Sequence, residues 1–485
     1  MRLFLPLLIG ACASGPVLDS HSVSLELVNP TTANPFGGVT QLRLRILDGQ
    51  DVVVEETIDV DDPLEVPNID LYGVLRFELA GLGEQGEVIS YGRSSDIAVI
   101  PDLERSVALT FLPVNKVLTL GAEFLEPRSF HSTAKGPDGR VFLLGGINAA
   151  QTNSLSSIEY YEPETGRSIP LANFLSFAPV LPSVTWTDDE QLMVHGGVSV
   201  TNGSAAWISS INRIDAATDG VSVLPSSGLG RRDHCFSAFD GQQSLAVGGT
   251  EGLSQSAELL VPSTSHPSGW MWQSLAVTNF QTWNIQACAT TSSGRIFFEG
   301  TGDQSTGVYT PDPSGTNGAD FQMIDFQQSP LEYLLYPYGQ MIVPLDERRV
   351  WIAGGRQNLD GDGNFNNDPP AGVSREFNLD TLVFSQGAAP SLSERSWGHW
   401  DPWIEPNTYA VGCGGVDGNV EVNPNTLVEV FSLETQEVLL AVPLDRNRPG
   451  CNMDVLDDGS ILISGGHAEG DEVTDGGAIL VPYLD

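Results

Sequence analysis

One stretch of this 485-residue sequence, LDGDGNFNNDPP at residues 359–370, alternates oxygen-bearing side chains along a loop. Asp360, Asp362, Asn364, Asn366 and Asp368 fall on alternate positions within it. Alternate oxygens on a tight loop suit calcium, a hard cation that takes ~6–8 oxygen ligands. A polar insertion that holds no ion is the alternative. A second run, ERSWGHWDPW at residues 394–403, gathers Trp397, His399, Trp400 and Trp403. Aromatic faces of this kind stack on sugar rings, but a tryptophan between repeat units also serves as packing.

Other chemistries have less to stand on. The chain has no Gly-x-Ser-x-Gly elbow. It also lacks a His-Glu-x-x-His pair and a phosphate-binding glycine loop. Its five cysteines include no Cys-x-x-Cys, so neither zinc nor thiol redox chemistry is indicated. Cys235 and Cys288 each lie six residues before a turn glycine, Gly241 and Gly294, which puts them at like positions of neighbouring units. Cys413 and Cys451 also fall in neighbouring units. Two disulfides, 235 with 288 and 413 with 451, are one reading; buried free thiols are the other.

The elements that must position these residues repeat along the chain. Short apolar runs end on glycine pairs in VFLLGG, QLMVHGG, SLAVGG, RVWIAGG, YAVGCGG and SILISGG, with FFEGTG as a variant. The first glycines are residues 145, 196, 248, 300, 354, 414 and 465, a period of 51 to 60 residues. A fixed period of this length marks a repeat architecture. Turn signals such as PDGR, SSGR and DDGS precede several of the runs, and a second strand-like run follows each glycine pair. Each unit therefore offers about four short strands, as a propeller blade does.

Residues Leu125 to Gly146, LEPRSFHSTAKGPDGRVFLLGG, resemble a Kelch repeat. Arg128-x-x-His131 recurs as Arg231-x-x-His234 and, altered, as Arg448-x-x-Cys451. The resemblance spans roughly residues 116–485 and implies a seven-bladed Kelch β-propeller over 114–485. The strand KVLTLG, residues 116–121, would close the ring as the outer strand of the last blade. Alternating strand direction would then put Arg128, Arg231, Arg232, Arg395 and Arg448 on one loop face together with the long polar loops. That face is the expected ligand-binding surface, with salt bridges between blades as the alternative role for each arginine. The 359–370 loop resembles an EF-hand-type calcium loop over its first five positions, but Phe365 stands where glycine is expected and no glutamate stands at the twelfth position. A Kelch-type copper oxidase would need paired tyrosine and histidine ligands near the axis. Of seven histidines, His131 and His234 are repeat positions, His21 precedes the repeats, and His195, His266, His399 and His467 are scattered. No Asp box of a sialidase-type propeller is found.

Charge and the N-terminus set the surroundings. The net charge of −40 repels nucleic acid and anionic lipid. Only two of the 22 basic residues are lysines, Lys116 and Lys135. MRLFLPLLIGAC reads as a short secretory signal over residues 1–11. Ile9-Gly10-Ala11-Cys12 resembles a bacterial lipoprotein signal, which implies lipidation of Cys12, a tether over 12–21 and an outer-membrane or cell-surface location. Residues 22–113 alternate apolar and polar positions, as in SVSLELV and QLRLRIL, and are expected to form an Ig-like β-sandwich.

The whole chain is thus expected to be all-β and to act as a non-catalytic binding, adhesion or scaffold protein for protein or polysaccharide at the envelope, its only membrane contact being the lipid. The second reading is a carbohydrate-active or oxidase-type enzyme with a site at the propeller axis, and the third is a purely structural component. An enzyme would show titratable groups converging at one mouth of the axis.

Overall fold

The computed structural model describes residues 3–5, 23–62, 73–100, 105–239, 242–249, 257–275, 285–300, 306–311, 320–324, 340–354, 374–384, 392, 399–413, 427–446, 448, 450–467, 473–474 and 476–484. The chain is all-β, and among these residues none is helical.

The first part folds as two sheets. In one, Val23–Val28 pairs with Leu3–Leu5 and runs parallel to Arg105–Thr110. In the other, Gln41–Asp48 is flanked antiparallel by Asp51–Asp59 and Gly73–Leu82, and Val88–Arg93 continues the ladder. Period-2 patterning sends Leu42, Leu44 and Ile46 inward from one sheet to meet Leu25, Val107 and Leu109 from the other, so both bury one core.

After Val117 the described residues build seven four-stranded antiparallel sheets. Their first strands are Ser132–Lys135, Ser183–Trp186, Cys235–Phe239, Ile285–Thr290, Gln340–Pro344, His399–Pro402 and Cys451–Val455. Each of these strands touches the first strand of the next sheet, and the seventh touches the first. In the seventh sheet the fourth strand is Val117–Thr119, which pairs with Ala478–Leu480. The second strands, among them Val141–Leu144 and Ile461–Gly465, are buried on both faces, which accounts for their unbroken apolar sequence.

The glycine pairs have a steric cause. Gly145 and Gly146 both adopt left-handed backbone, φ 66° and 97°. A Cβ on Gly145 would lie 2.3 Å from the carbonyl oxygen of Pro179, in the segment that leads into the next sheet. Only glycine fits a turn that passes so close under its neighbour.

Candidate acid-base site

The first strands of the sixth, seventh and first sheets bring together charges that lie far apart in sequence. In Cys451–Val455 the odd residues Cys451, Met453 and Val455 join an apolar cluster with Val428 and Val430. The even residues face the first sheet. Asn452 Nδ2 donates to the carbonyl of His131 at 2.7 Å, and the carboxyl of Asp454 bonds Thr133. In His399–Pro402, Trp400 packs toward Met341 and Val343. The intervening Asp401 turns the other way, and its Oδ2 accepts the Val455 amide at 2.8 Å. The Val455 carbonyl accepts from Lys135 Nζ at 2.8 Å, and Lys135 also pairs with Asp457 at 3.2 Å. One peptide residue is thus held between an acid from the sixth sheet and a base from the first.

This arrangement perturbs both carboxyls. Burial, and then the negative charge of Asp401, push Asp454 up to about 7; Thr133 and Lys135 oppose this. Burial pushes Asp401 up to about 6, against Lys135 and the Val455 amide. Asp454 is 6% exposed, and its Oδ2 has no hydrogen-bond partner. Asp401 is only partly buried, so the pair has one enclosed and one reachable member. Two neighbouring carboxyls that titrate in the neutral range can act as acid and base for one another's substrate. Nearby, burial lowers His399 to about 4, and His131 is held well down by burial, Arg128 and His399.

The residues singled out from sequence have other places. Cys12, the loop positions Asp360, Asp362, Asn364, Asn366 and Asp368, and Arg395 and Trp397 lie outside the described residues. Arg128, Arg231 and Arg448 do not form a ligand face: all three are buried, at 1%, 0% and 1% exposure. Arg128 holds Glu159 at 2.7 Å, Arg231 holds Glu258 at 2.7 Å and Arg448 holds Asp445 at 2.8 Å. A guanidinium taken out of water needs such a partner; Glu159 and Glu258 supply it from strands and Asp445 from the bend after Glu437–Pro443. Arg232 stays at the surface, over the Trp207 ring at 4.8 Å. Trp403 is a packing residue whose Nε1 donates to the Gly459 carbonyl at 2.9 Å. Disulfides join Cys235 to Cys288 and Cys413 to Cys451.

Sequence reasoning missed Asp401, Asp454 and Lys135. Two weak signals were present: Lys135 is one of only two lysines, and Asp454 is the one charged residue of the buried strand CNMDV.

No family model matches the chain, and no curated protein matches it. Among solved structures it resembles a fungal alcohol oxidase of the AA5 family in complex with copper. That likeness has a TM-score of 0.56 at 12% identity and covers 74% of this chain and 75% of the other, so it concerns the fold. It corrects the expectation of a non-catalytic binding protein, because the fold so matched is one that carries an enzyme.

The described residues do not fit a copper centre. Among them, no three His, Cys, Asp or Glu side chains gather as a metal-holding group. His195 is hydrogen-bonded on both ring nitrogens, to His234 at 2.8 Å and to Ser227 at 3.1 Å. His131 uses Nε2 on Ser464 at 2.9 Å. No feature of the described residues supports calcium either.

Proposed function

We propose that the seven sheets are the blades of a Kelch-type propeller and that the chain is an enzyme acting at its axis on a hydroxyl-bearing substrate, a carbohydrate or an alcohol. The cycle of contacts between first strands and the shared seventh sheet support the propeller. One observation carries the activity: Asp401 and Asp454 sit as a coupled carboxyl pair on adjacent first strands, both pushed into the neutral range. In this reading Asp454 holds the proton and gives it to a departing oxygen. Asp401 takes a proton from the attacking hydroxyl or water, and Lys135 tempers both charges. No step passes through copper.

The test is a screen of the purified chain against oligosaccharides and primary alcohols, read as new reducing ends and as peroxide. Asp454→Asn and Asp401→Asn should each lower turnover by ~100-fold or more, the usual range for an acid-base group, without lowering the melting temperature at neutral pH. Activity unchanged in both variants would overturn the acid-base assignment. Peroxide formed only after copper is added would favour an oxidase whose ligands lie elsewhere in the chain.

The same reading takes the chain to be a bacterial envelope lipoprotein, with Cys12 lipidated and residues 22–113 forming an Ig-like sandwich ahead of the propeller over 114–485. The Ile9-Gly10-Ala11-Cys12 tetrad supports the first point, and the shared core of the two N-terminal sheets supports the second.

A further inference from the structure

A cavity of about 320 Å³ lies where the N-terminal sheets meet the sixth and seventh sheets. Arg45, Glu78, Tyr91 and Arg93 line it from one side, and Trp403, Asp458 and Tyr483 from the other. None of these residues belongs to the carboxyl pair at the axis.

We propose that this cavity binds a neutral saccharide unit. Four observations point that way. The volume sits at the lower end of small-ligand sites, which run ~300–1,000 Å³ and favour domain junctions. The polar groups are pre-set as opposite-charge pairs: Arg45 holds Glu78 at 3.1 Å, and Arg93 faces Glu405 at 3.7 Å. Such pairs offer donors and acceptors side by side, as vicinal hydroxyls require.

Donor capacity is also left over. Arg93 is only 7% exposed, yet its Nε has no hydrogen-bond acceptor; the Nε of the more exposed Arg45 also makes no hydrogen bond and faces Glu55 at 3.8 Å. A buried donor in this state is expensive unless a ligand or water completes it. Finally, Tyr91 and Tyr483 form an aromatic corner, with ring centroids 5.1 Å apart at 60°, that can take the apolar face of a sugar ring. The two cationic side chains could also invite an anion. Against this, Glu78, Glu405 and Asp458 share the lining, and a chain of net charge −40 repels anions at every approach.

The experiment is calorimetric titration of the full chain with glucose, galactose, mannose, xylose and cellobiose, and with glucuronate as the charged counterpart. One neutral sugar should bind at one site per chain. Arg93→Lys, which keeps the charge but loses the planar fork, should weaken it at least tenfold, while Asp454→Asn leaves binding intact. Glu78→Gln, which keeps size and removes one acceptor charge, is the second variant should Arg93→Lys melt early, and it should also weaken binding. The proposal is overturned by absence of binding for all neutral sugars, or by glucuronate binding more tightly than glucose. It is equally overturned by binding that survives both cavity variants. Binding lost only in Asp454→Asn would move the sugar to the axis, sinking this inference while leaving the proposed activity standing.

Discussion

Arg128 donates through Nη1 to the carbonyl of Gly145, 17 residues further on, at 2.8 Å. Arg231 makes the same bond to Gly248 and Arg448 to Gly465, each at that same separation. The arginine that leads into a sheet thus closes onto the glycine that ends the sheet's second strand. The histidine three residues later reaches the neighbouring unit instead: a Cβ on Gly465 would meet His131, and one on Gly196 would meet His234. One short motif therefore ties a sheet to itself and to the sheet before it.

Removing one of these arginines should be costly. Arg231→Ala strands Glu258 as a buried unpaired charge, which typically destabilises by about 3–5 kcal/mol. Arg232→Ala, at the surface, should cost below about 1 kcal/mol. Denaturant midpoints of the two variants make the comparison; equal midpoints would mean the buried pair contributes no more than the exposed one.

The carboxyl pair should make stability depend on pH. An unfolded aspartate titrates near ~4, whereas Asp454 in the folded chain titrates at about 7. Between these values the folded state holds the additional proton. Its contribution is therefore complete below pH ~4 and is lost as pH rises through 7, at ~1.4 kcal/mol for each unit separating the two values. Asp454→Asn cannot ionise, so its melting temperature relative to the parent should climb between pH 4 and 8. Parallel melting curves across that range would mean that Asp454 is solvated.

Reduction should weaken the seventh sheet's hold on the sixth. The Cys413–Cys451 bridge closes 38 residues. The chain-entropy relation assigns a loop of that length about 4 kcal/mol. Cys413→Ser with Cys451→Ser should lower the melting temperature under oxidising conditions and abolish the further effect of dithiothreitol at this site. An unchanged melting temperature would show that the thiols are not bridged in solution.

Cys12→Ser should release the protein from the membrane fraction of a bacterial host and remove incorporation of labelled palmitate. Retention with the label intact would show that the lipid is attached elsewhere or that the cysteine is incidental.

Some of this was open to reading along the chain and some was not. The all-β character was legible because glycine pairs and apolar runs are local signals, dictated by φ angles and by burial of a strand's two faces. The arginine spacing was legible too, but its meaning was not. Arg128 looks like a loop cation until Glu159 is brought beneath it from the sheet's third strand, 31 residues away. The carboxyl pair was less accessible still. Asp401 and Asp454 stand on different sheets, and each looks unremarkable among 62 acidic residues. What makes them distinctive is the enclosure around them, which exists only once the sixth, seventh and first sheets meet.

The seventh sheet carries a consequence for how the chain reaches its final shape. The first six sheets each draw their strands from one continuous stretch of chain and can form one after another as the chain emerges. The seventh cannot, because Val117–Thr119 must wait, edge exposed, for Ala478–Leu480. Contacts so distant in sequence are the slow ones to form. Until the seventh sheet forms, the first sheet lacks that neighbour, and Asp454 lacks Thr133 and Lys135 beside it. A chain halted short of its final sheet would leave the cycle of contacts between first strands open.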